Sequence, residues 1–217
     1  MILDRPTIIL GAGGHAKVVL DLVNAMGAYV AGILDPQLHE TGVTEWRGIP
    51  VLGNDSTLEC YQTDRIYLAN GLGSLPGWDR RNLLYDKLTI KGFHFPALVH
   101  PTVIMGSGVA VSHGAQVMAG CILQADVSIG ENTIVNTGAQ LDHDCSIGKH
   151  CHIAPGATLS GDVSTGNCCH IGTNAAVIQG CHLGEGVVVG AGSTVLHDLP
   201  AYAKLLAAKP QALNITT

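Results

Sequence analysis

Residues 127–161 read VSIGEN, TIVNTG, AQLDHD, CSIGKH, CHIAPG and ATLSG when cut every sixth residue. The third residue of each sextet is a large aliphatic: Ile129, Val135, Leu141, Ile147, Ile153 and Leu159. The first is small or β-branched: Val127, Thr133, Ala139, Cys145, Cys151 and Ala157. Working outward, the same period runs back to Val103 and Met105 and forward to Val195 and Leu199 without a slip. A fixed period held over such a length marks a repeat architecture. Each hexad supplies one short strand and one turn, and three hexads close a triangular coil of about 18 residues. Coils then stack at strand-pairing distance, about 4.8 Å. The aliphatic residue fills the coil interior and the small one sits where that interior narrows. Glycines, as at Gly106, Gly130, Gly148, Gly172, Gly184 and Gly190, serve the turns.

The bulk composition agrees with a packed, repetitive chain. Of 217 residues, 47% are hydrophobic and only 13% charged, which excludes a disordered chain. Aromatics make up 4% against 28 glycines, as a narrow core demands. The net charge of −6 argues against nucleic acid as a partner. No apolar run approaches the roughly 20 residues of a membrane span, and no basic leader with a cleavage site is visible. Seven cysteines, an odd number, suit the reducing cytoplasm better than a disulfide framework. Five of them, Cys121, Cys145, Cys151, Cys169 and Cys181, fall on the small-residue register, so they read as buried apolar groups and not as nucleophiles. No CxxC pair suggests zinc.

The residues before Pro101 follow another rule. A short apolar strand, Thr7–Leu10, runs into Gly11-Ala12-Gly13-Gly14-His15-Ala16, and Ala16, Val19, Leu20 and Val23 then recur at helical spacing. Tyr29–Leu34 reads as a second strand ending at Asp35. Arg65–Ala69 reads as a third, followed by Asn70-Gly71 and a helical stretch, Trp78–Leu88. This βαβ pattern predicts a parallel sheet covered by helices, a Rossmann-like half domain. The loop fits GxGxxA between strand and helix, where backbone N–H groups can meet a phosphate. Asp35 stands about 20 residues on, where a carboxylate can bind a ribose or base. The bland reading is a tight βα turn with no ligand. A dinucleotide oxidoreductase would need two such halves, so a ligand of mononucleotide size, such as a nucleotide sugar, fits better. The expected division is 1–100 for the nucleotide-binding α/β part, 101–200 for the parallel β-helix and 201–217 for a tail.

Chemistry on a packed coil must sit on corners or outer faces. His143 lies two residues after Leu141, in the turn of its hexad, with Ala125 and Gly161 as stacked neighbours 18 residues away. Asp142 and Asp144 flank it, and a carboxylate beside an imidazole fixes its tautomer and raises its basicity. His152 and His170, also 18 apart, should stack on one outer face. Such a stack leaves open a zinc enzyme of the γ-carbonic-anhydrase kind, though that would give the first hundred residues no role.

Three stretches carry a family resemblance: IILGAGGHAKVVLDL from Ile8, ILDP from Ile33 and LDHDCSIGKHCHIAPGATLSG from Leu141. Over nearly its whole length the chain resembles the sialic-acid-O-acetyltransferase-like family of bacterial sugar acyltransferases, of the NeuD and PglD type. It is most similar to the branch of N-acetyltransferases acting on nucleotide-linked 4-amino-4,6-dideoxy sugars. The resemblance implies a left-handed β-helix, a homotrimer, and acetyl-CoA as co-substrate with no metal. It implies that His143 is the general base and Asp144 its orienting acid, where relatives usually have Glu. It also implies that His152 and Gly161 lie at the acetyl-CoA, and that Gly11, Gly13, Gly14, His15, Asp35 and Gly71 hold the UDP- or GDP-linked sugar. The stretch Leu206-Ala207-Ala208-Lys209-Pro210 departs from the family's usual closing turn. An O-acetyltransferase and a non-catalytic trimerisation scaffold are the other readings.

Overall fold

The computed structural model describes residues 3–207. The first part is a five-stranded sheet. β1 (Thr7–Leu10) leads through α1 (Gly14–Ala25) to β2 (Val30–Leu34), and α2 (Pro36–Glu40) precedes the hairpin of β3 (Glu45–Trp46) and β4 (Ile49–Gly53). A 3₁₀ turn, Asp55–Cys60, leads to β5 (Tyr67–Asn70) and α3 (Arg80–Ile90). The strand order is β3-β4-β2-β1-β5, with only the β3–β4 pair antiparallel.

Alternation along β1 explains the two covered faces. Ile9 packs with Ala16, Val19 and Val23 of α1, whereas Ile8 and Leu10 pack with Tyr85 and Leu88 of α3 and with Phe93 and Phe95. The sequence reading places β1, β2, β5, α1 and α3 within about two residues but omits α2 and the hairpin. Its turn is Arg47-Gly48, both at positive φ (50° and 80°), the geometry of a tight two-residue hairpin. Arg-Gly is a weak signal for that turn, because Arg at positive φ is uncommon.

The second part is the coil. Strands of two residues form three parallel sheets of six, five and seven strands, and every internal pairing joins residues 18 apart. Ile122 pairs with Gln140, Ser128 with Ser146, and Ile134 with His152. Pairing starts at Leu98–Val99 and reaches Lys204–Leu205, which closes onto Val188–Val189 by a 16-residue step. The coil therefore extends past both ends of the expected 101–200 segment and takes in the first residues of the expected tail. Residues 208–210 of the divergent C-terminal stretch lie outside the described residues.

The interior holds both registers, the five cysteines included: Cys121, Cys145, Cys151, Cys169 and Cys181 are all buried and free. From Val109 to Ser193 the residue before each small one sits in a turn at positive φ: Asp126, Asn132, Asp144, His150, Asp162, Cys168 and Asn174, with Gly at the other turns. Asp and Asn tolerate this conformation better than most side chains, so the turn itself favours a short acid at Asp144.

The α/β part rests on the seven-stranded sheet of the coil. Leu98, Met118 and Ile134 on that sheet join the cluster that α1 buries against β1 and β2.

At one corner, glycines of successive coils stack backbone on backbone. A Cβ on Gly148 would collide with the Gly166 carbonyl. Gly148→Ala should therefore destabilise the protein by about 1–3 kcal/mol, the range for forced overpacking. A lowered denaturant midpoint would register it.

Candidate active site

The turn after β1 is built to meet an anion. Gly11 adopts φ 88°, and Gly13 caps α1 in extended conformation with no side-chain cap and no acid in the first turn. The leading N–H groups of a helix have no partner within it, and the dipole favours negative charge there. β1 lies between β2 and β5, where the chain switches direction across the sheet, and such a switch point opens a crevice at the strand ends. Gly71 closes the far side. A Cβ there would come 2.7 Å from the Leu10 carbonyl and 2.9 Å from Ala16, so only glycine lets the two loops touch.

Asp35 is a clamp between these loops. Its Oδ2 accepts from the Ala12 N–H at 2.8 Å, and its Oδ1 caps α2 by accepting from the Leu38 N–H at 2.9 Å. The sequence reading assigns it only a ligand-facing role; both oxygens also hold the backbone. His15 reaches across to the coil. Its Nε2–H donates to Gln116 Oε1 at 2.8 Å, while Gln116 Nε2 donates to the Asn70 carbonyl at 2.9 Å. Burial, helped by the nearby Arg81 charge, pushes the His15 pKa down to about 3, so the ring is neutral.

His143 stands on an open corner between the six- and five-stranded sheets. Its Nδ1 donates to Asp144 Oδ2 at 2.7 Å, and its backbone N–H donates to Asp142 Oδ1 at 2.8 Å. This leaves Nε2 as the free basic atom. The side chains of His143 and Asp144 are 59% and 58% exposed, so an incoming ligand can reach the pair. The ring lies over Gly161: a Cβ there would stand 2.5 Å from Nε2. The Gly161 N–H takes no acceptor among the described residues. An open recess of about 450 Å³ beside them is lined by Asp142, His143, Ser160, Gly161, Gln179 and Gly180. The Asp144 hydrogen bond, then the Asp142 charge, raise the His143 pKa above its ordinary value.

His152 is elsewhere. It sits on the seven-stranded sheet, edge-on to His170 with ring centroids 5.0 Å apart. Its Nδ1–H donates to the Ser74 carbonyl at 3.0 Å and its Nε2 accepts from Asn136 Nδ2 at 3.1 Å. Both nitrogens are thus engaged, and burial, then His170, hold its pKa down near 4. The corner bearing His143 is opposite this sheet in a three-sided coil. Within one chain the structure brings His143, Asp144 and Gly161 together, and separately gathers Gly11, Gly13, Gly14, His15, Asp35 and Gly71. His152 lies on the side of the second group and apart from Gly161.

Three buried residues at the junction escaped the sequence reading: Asn70, Arg81 and Gln116. Asn70 Nδ2 donates to the Arg81 carbonyl and to Asn132 Oδ1 at 3.1 and 3.3 Å. Gln116 carried no signal, because a polar residue beside inward-facing Val117 is what a solvent-facing strand would also have, as Gln140 beside Leu141 shows. Arg81 looks like any charge on a helix. Among the described residues no group of three or more His, Cys, Asp or Glu side chains is placed to hold a metal ion.

Two family models match the chain: the PglD N-terminal domain over residues 7–75 and the bacterial transferase hexapeptide (six repeats) over residues 126–161. No curated protein matches it. Among solved structures it is similar to PerB from Caulobacter crescentus in complex with CoA and GDP-perosamine, at 34% identity and TM-score 0.84, covering 95% of this chain and 96% of that one. Variants of the Caulobacter perosamine N-acetyltransferase in which a histidine is replaced by Asn or Ala match at 33% identity. It is also similar to the acetyltransferase domain of PglB from Neisseria gonorrhoeae in complex with acetyl coenzyme A, at 32% identity and TM-score 0.87, covering 96% of this chain and 100% of that one. WeeI from Acinetobacter baumannii, at 22% identity and TM-score 0.82, shares the fold.

The ion pair on the coil corner makes a direct test possible. Asp144→Asn keeps a residue suited to the left-handed turn but removes the charge. The His143 pKa should then fall toward its ordinary value in a proton NMR titration. An unchanged titration would show that Asp144 does not support the ring.

Proposed function

This chain belongs to the PglD-type family of hexapeptide-repeat sugar N-acetyltransferases, and from that premise we propose how its residues carry the reaction. The chain is an acetyl-CoA-dependent N-acetyltransferase acting on a nucleotide-linked 4-amino-4,6-dideoxy sugar. Acetyl-CoA is the co-substrate. Among the described residues no helix is long and apolar enough to cross a membrane. The seven free thiols fit a reducing compartment, the cytoplasm.

The observation that carries the mechanism is the His143–Asp144 pair over Gly161 on an open corner. The sugar amine attacks the thioester carbonyl of acetyl-CoA, forming the C–N bond, while Nε2 of His143 takes the amine proton. Asp144, bonded to Nδ1, holds the tautomer that leaves Nε2 free and stabilises the imidazolium once it forms. The oxyanion of the tetrahedral intermediate is met by the unpartnered Gly161 N–H. Collapse breaks the C–S bond, and the proton on His143 passes to the departing CoA sulfur. The nucleotide portion lies on Gly11, Gly13, Gly14 and His15, with Asp35 and Gly71 shaping the loops around it.

The placement of the two groups supports a shared site. The nucleotide loop docks on one sheet, and His143 stands on the opposite corner of the same coil. One chain therefore does not bring its own base to its own sugar. A homotrimer of parallel coils sets the corner of one chain against the sheet of the next, where His152 lies, and closes a groove wide enough for CoA. On this reading His152 and Gly161 reach one acetyl-CoA from two chains. His152, with both nitrogens occupied, is a strut there and not a second base.

His143→Ala should lower kcat by about 10²–10⁴-fold, the usual effect of losing a general base, with KM for both substrates nearly unchanged. In wild type the free imidazole is the active form, so kcat should rise with pH through a His143 pKa above the ordinary value. That limb should vanish in the variant, whose residual rate climbs only as the amine itself deprotonates. A variant with wild-type kcat at neutral pH would remove His143 from the mechanism.

The shared site has its own test. Gly13→Val, whose side chain would enter open space at the loop, and His143→Ala are each expected to be nearly inactive. Co-expressed in one cell, they should regain part of the activity, because some sites combine an intact loop from one chain with an intact base from another. No recovery from isolated mixed oligomers would contradict sharing.

A further inference from the structure

Arg81 is the only buried charged side chain among the described residues, at 2% exposure. No carboxylate stands within ion-pair distance of it there. Its partners are all main-chain carbonyls. Nη1 donates to Asn70 O at 3.0 Å and Leu72 O at 2.7 Å, and Nε donates to Asn132 O on the coil at 3.4 Å. Nη2 is buried with no partner among the described residues. An unpaired buried cation is costly, and removing its solvent shell is compensated only by a counter-charge or full hydrogen bonding. Burial alone pushes this guanidinium down to about 9. Folding has kept a charge here that no group among the described residues neutralises.

The surroundings indicate what neutralises it. Arg81 lines a pocket of about 180 Å³ with Leu72, Gly73, Leu75, Trp78 and Arg80, on the loop that follows β5 at the sheet's switch point. Its charge is felt at His15, in the first turn of α1. Gly73 lies against the same histidine, since a Cβ there would be 3.6 Å from His15 Cβ. A trans peptide points its N–H opposite to its C=O. Holding the Leu72 carbonyl therefore turns the Gly73 N–H away from Arg81.

We propose that Arg81 is the buried counter-charge for the diphosphate of the nucleotide-linked substrate, and the positioning residue that sets the Asn70–Gly73 loop to receive it. The inference rests on the reading of the α/β part as the nucleotide-sugar site. It adds a cation to a phosphate loop whose other groups, the N–H donors of Gly13, Gly14 and His15, are neutral. The same guanidinium grips Asn132 O, so the loop is fixed to the coil as well as to the sheet.

The test is calorimetry on the full-length protein with guanosine, GMP and GDP, and with uridine, UMP and UDP, comparing wild type, Arg81→Met and Arg81→Lys. In wild type, affinity should rise with each phosphate for the nucleoside that binds. Arg81→Met should lose at least tenfold in diphosphate affinity with nucleoside and acetyl-CoA affinities unchanged, and Arg81→Lys should recover part of the loss. Equal losses for nucleoside, diphosphate and acetyl-CoA would mean a purely structural role and overturn the proposal, as would a folded Arg81→Met with wild-type diphosphate affinity. Should the methionine variant not fold, the Arg81 guanidinium ¹⁵N resonance of wild type decides. It should move on adding the diphosphate and not the nucleoside, and a resonance indifferent to both overturns the proposal. If no nucleotide binds wild type, the nucleotide-sugar reading itself falls, which is a different result from diphosphate binding that ignores Arg81.

Discussion

Everything in this protein depends on stacking identical turns directly above one another every 18 residues. Strand pairing between residues such as Ile134 and His152 sets the rise, and the triangular interior must then be filled by one aliphatic and one small side chain per side. At the corners the backbone of one coil touches the next, which is why a Cβ at Gly148 has no room. A core so regular leaves no interior space for chemistry. Function is pushed out to the corners, where a side chain can leave the stack without breaking it, and His143 is such a side chain.

The same constraint explains the form of the acid beside it. From Val109 to Ser193 the residue preceding each small position takes the left-handed turn conformation, and it is Gly, Asn, Asp, His or Cys. Asp144 satisfies the turn and reaches His143 Nδ1 at 2.7 Å. A longer acid would reach further but would sit less easily at φ 61°. Turn geometry and the hydrogen bond to His143 thus act on one residue, and the neighbouring Asp142 anchors the His143 backbone from the other side.

The junction between the two parts is different in kind. One half of it is apolar, where Met118 and Ile134 pack under α1. The other half is a chain of polar contacts from His15 through Gln116 and Asn70 to Arg81, Asn132 and His150. A buried polar network of this sort is directional, so it sets how the loops after β1 and β5 face the coil. The apolar contacts supply burial but would tolerate sliding.

The sequence by itself determined the coil. Its period is written into residue size at every sixth position from Val103 to Leu199, and no tertiary information is needed to count it. It also determined the parallel sheet, the phosphate-type turn at Gly11–Gly14, and the pairing of His143 with Gly161, because an 18-residue step is arithmetic on the repeat. It did not reveal the β3–β4 hairpin, whose Arg47-Gly48 turn is atypical, nor the second role of Asp35 as a clamp. It gave no sign that Arg81 is buried, since a charge on a short helix reads as solvent-facing until a second element covers it. Above all, only the tertiary structure decided that His143 and the Gly11–Gly14 loop lie on opposite sides of one coil. Local periodicity places each residue on a face or a corner. Which face the α/β part covers is set by non-local packing at Leu98, Gln116 and Ile134, and nothing in the spacing of the repeat encodes that choice.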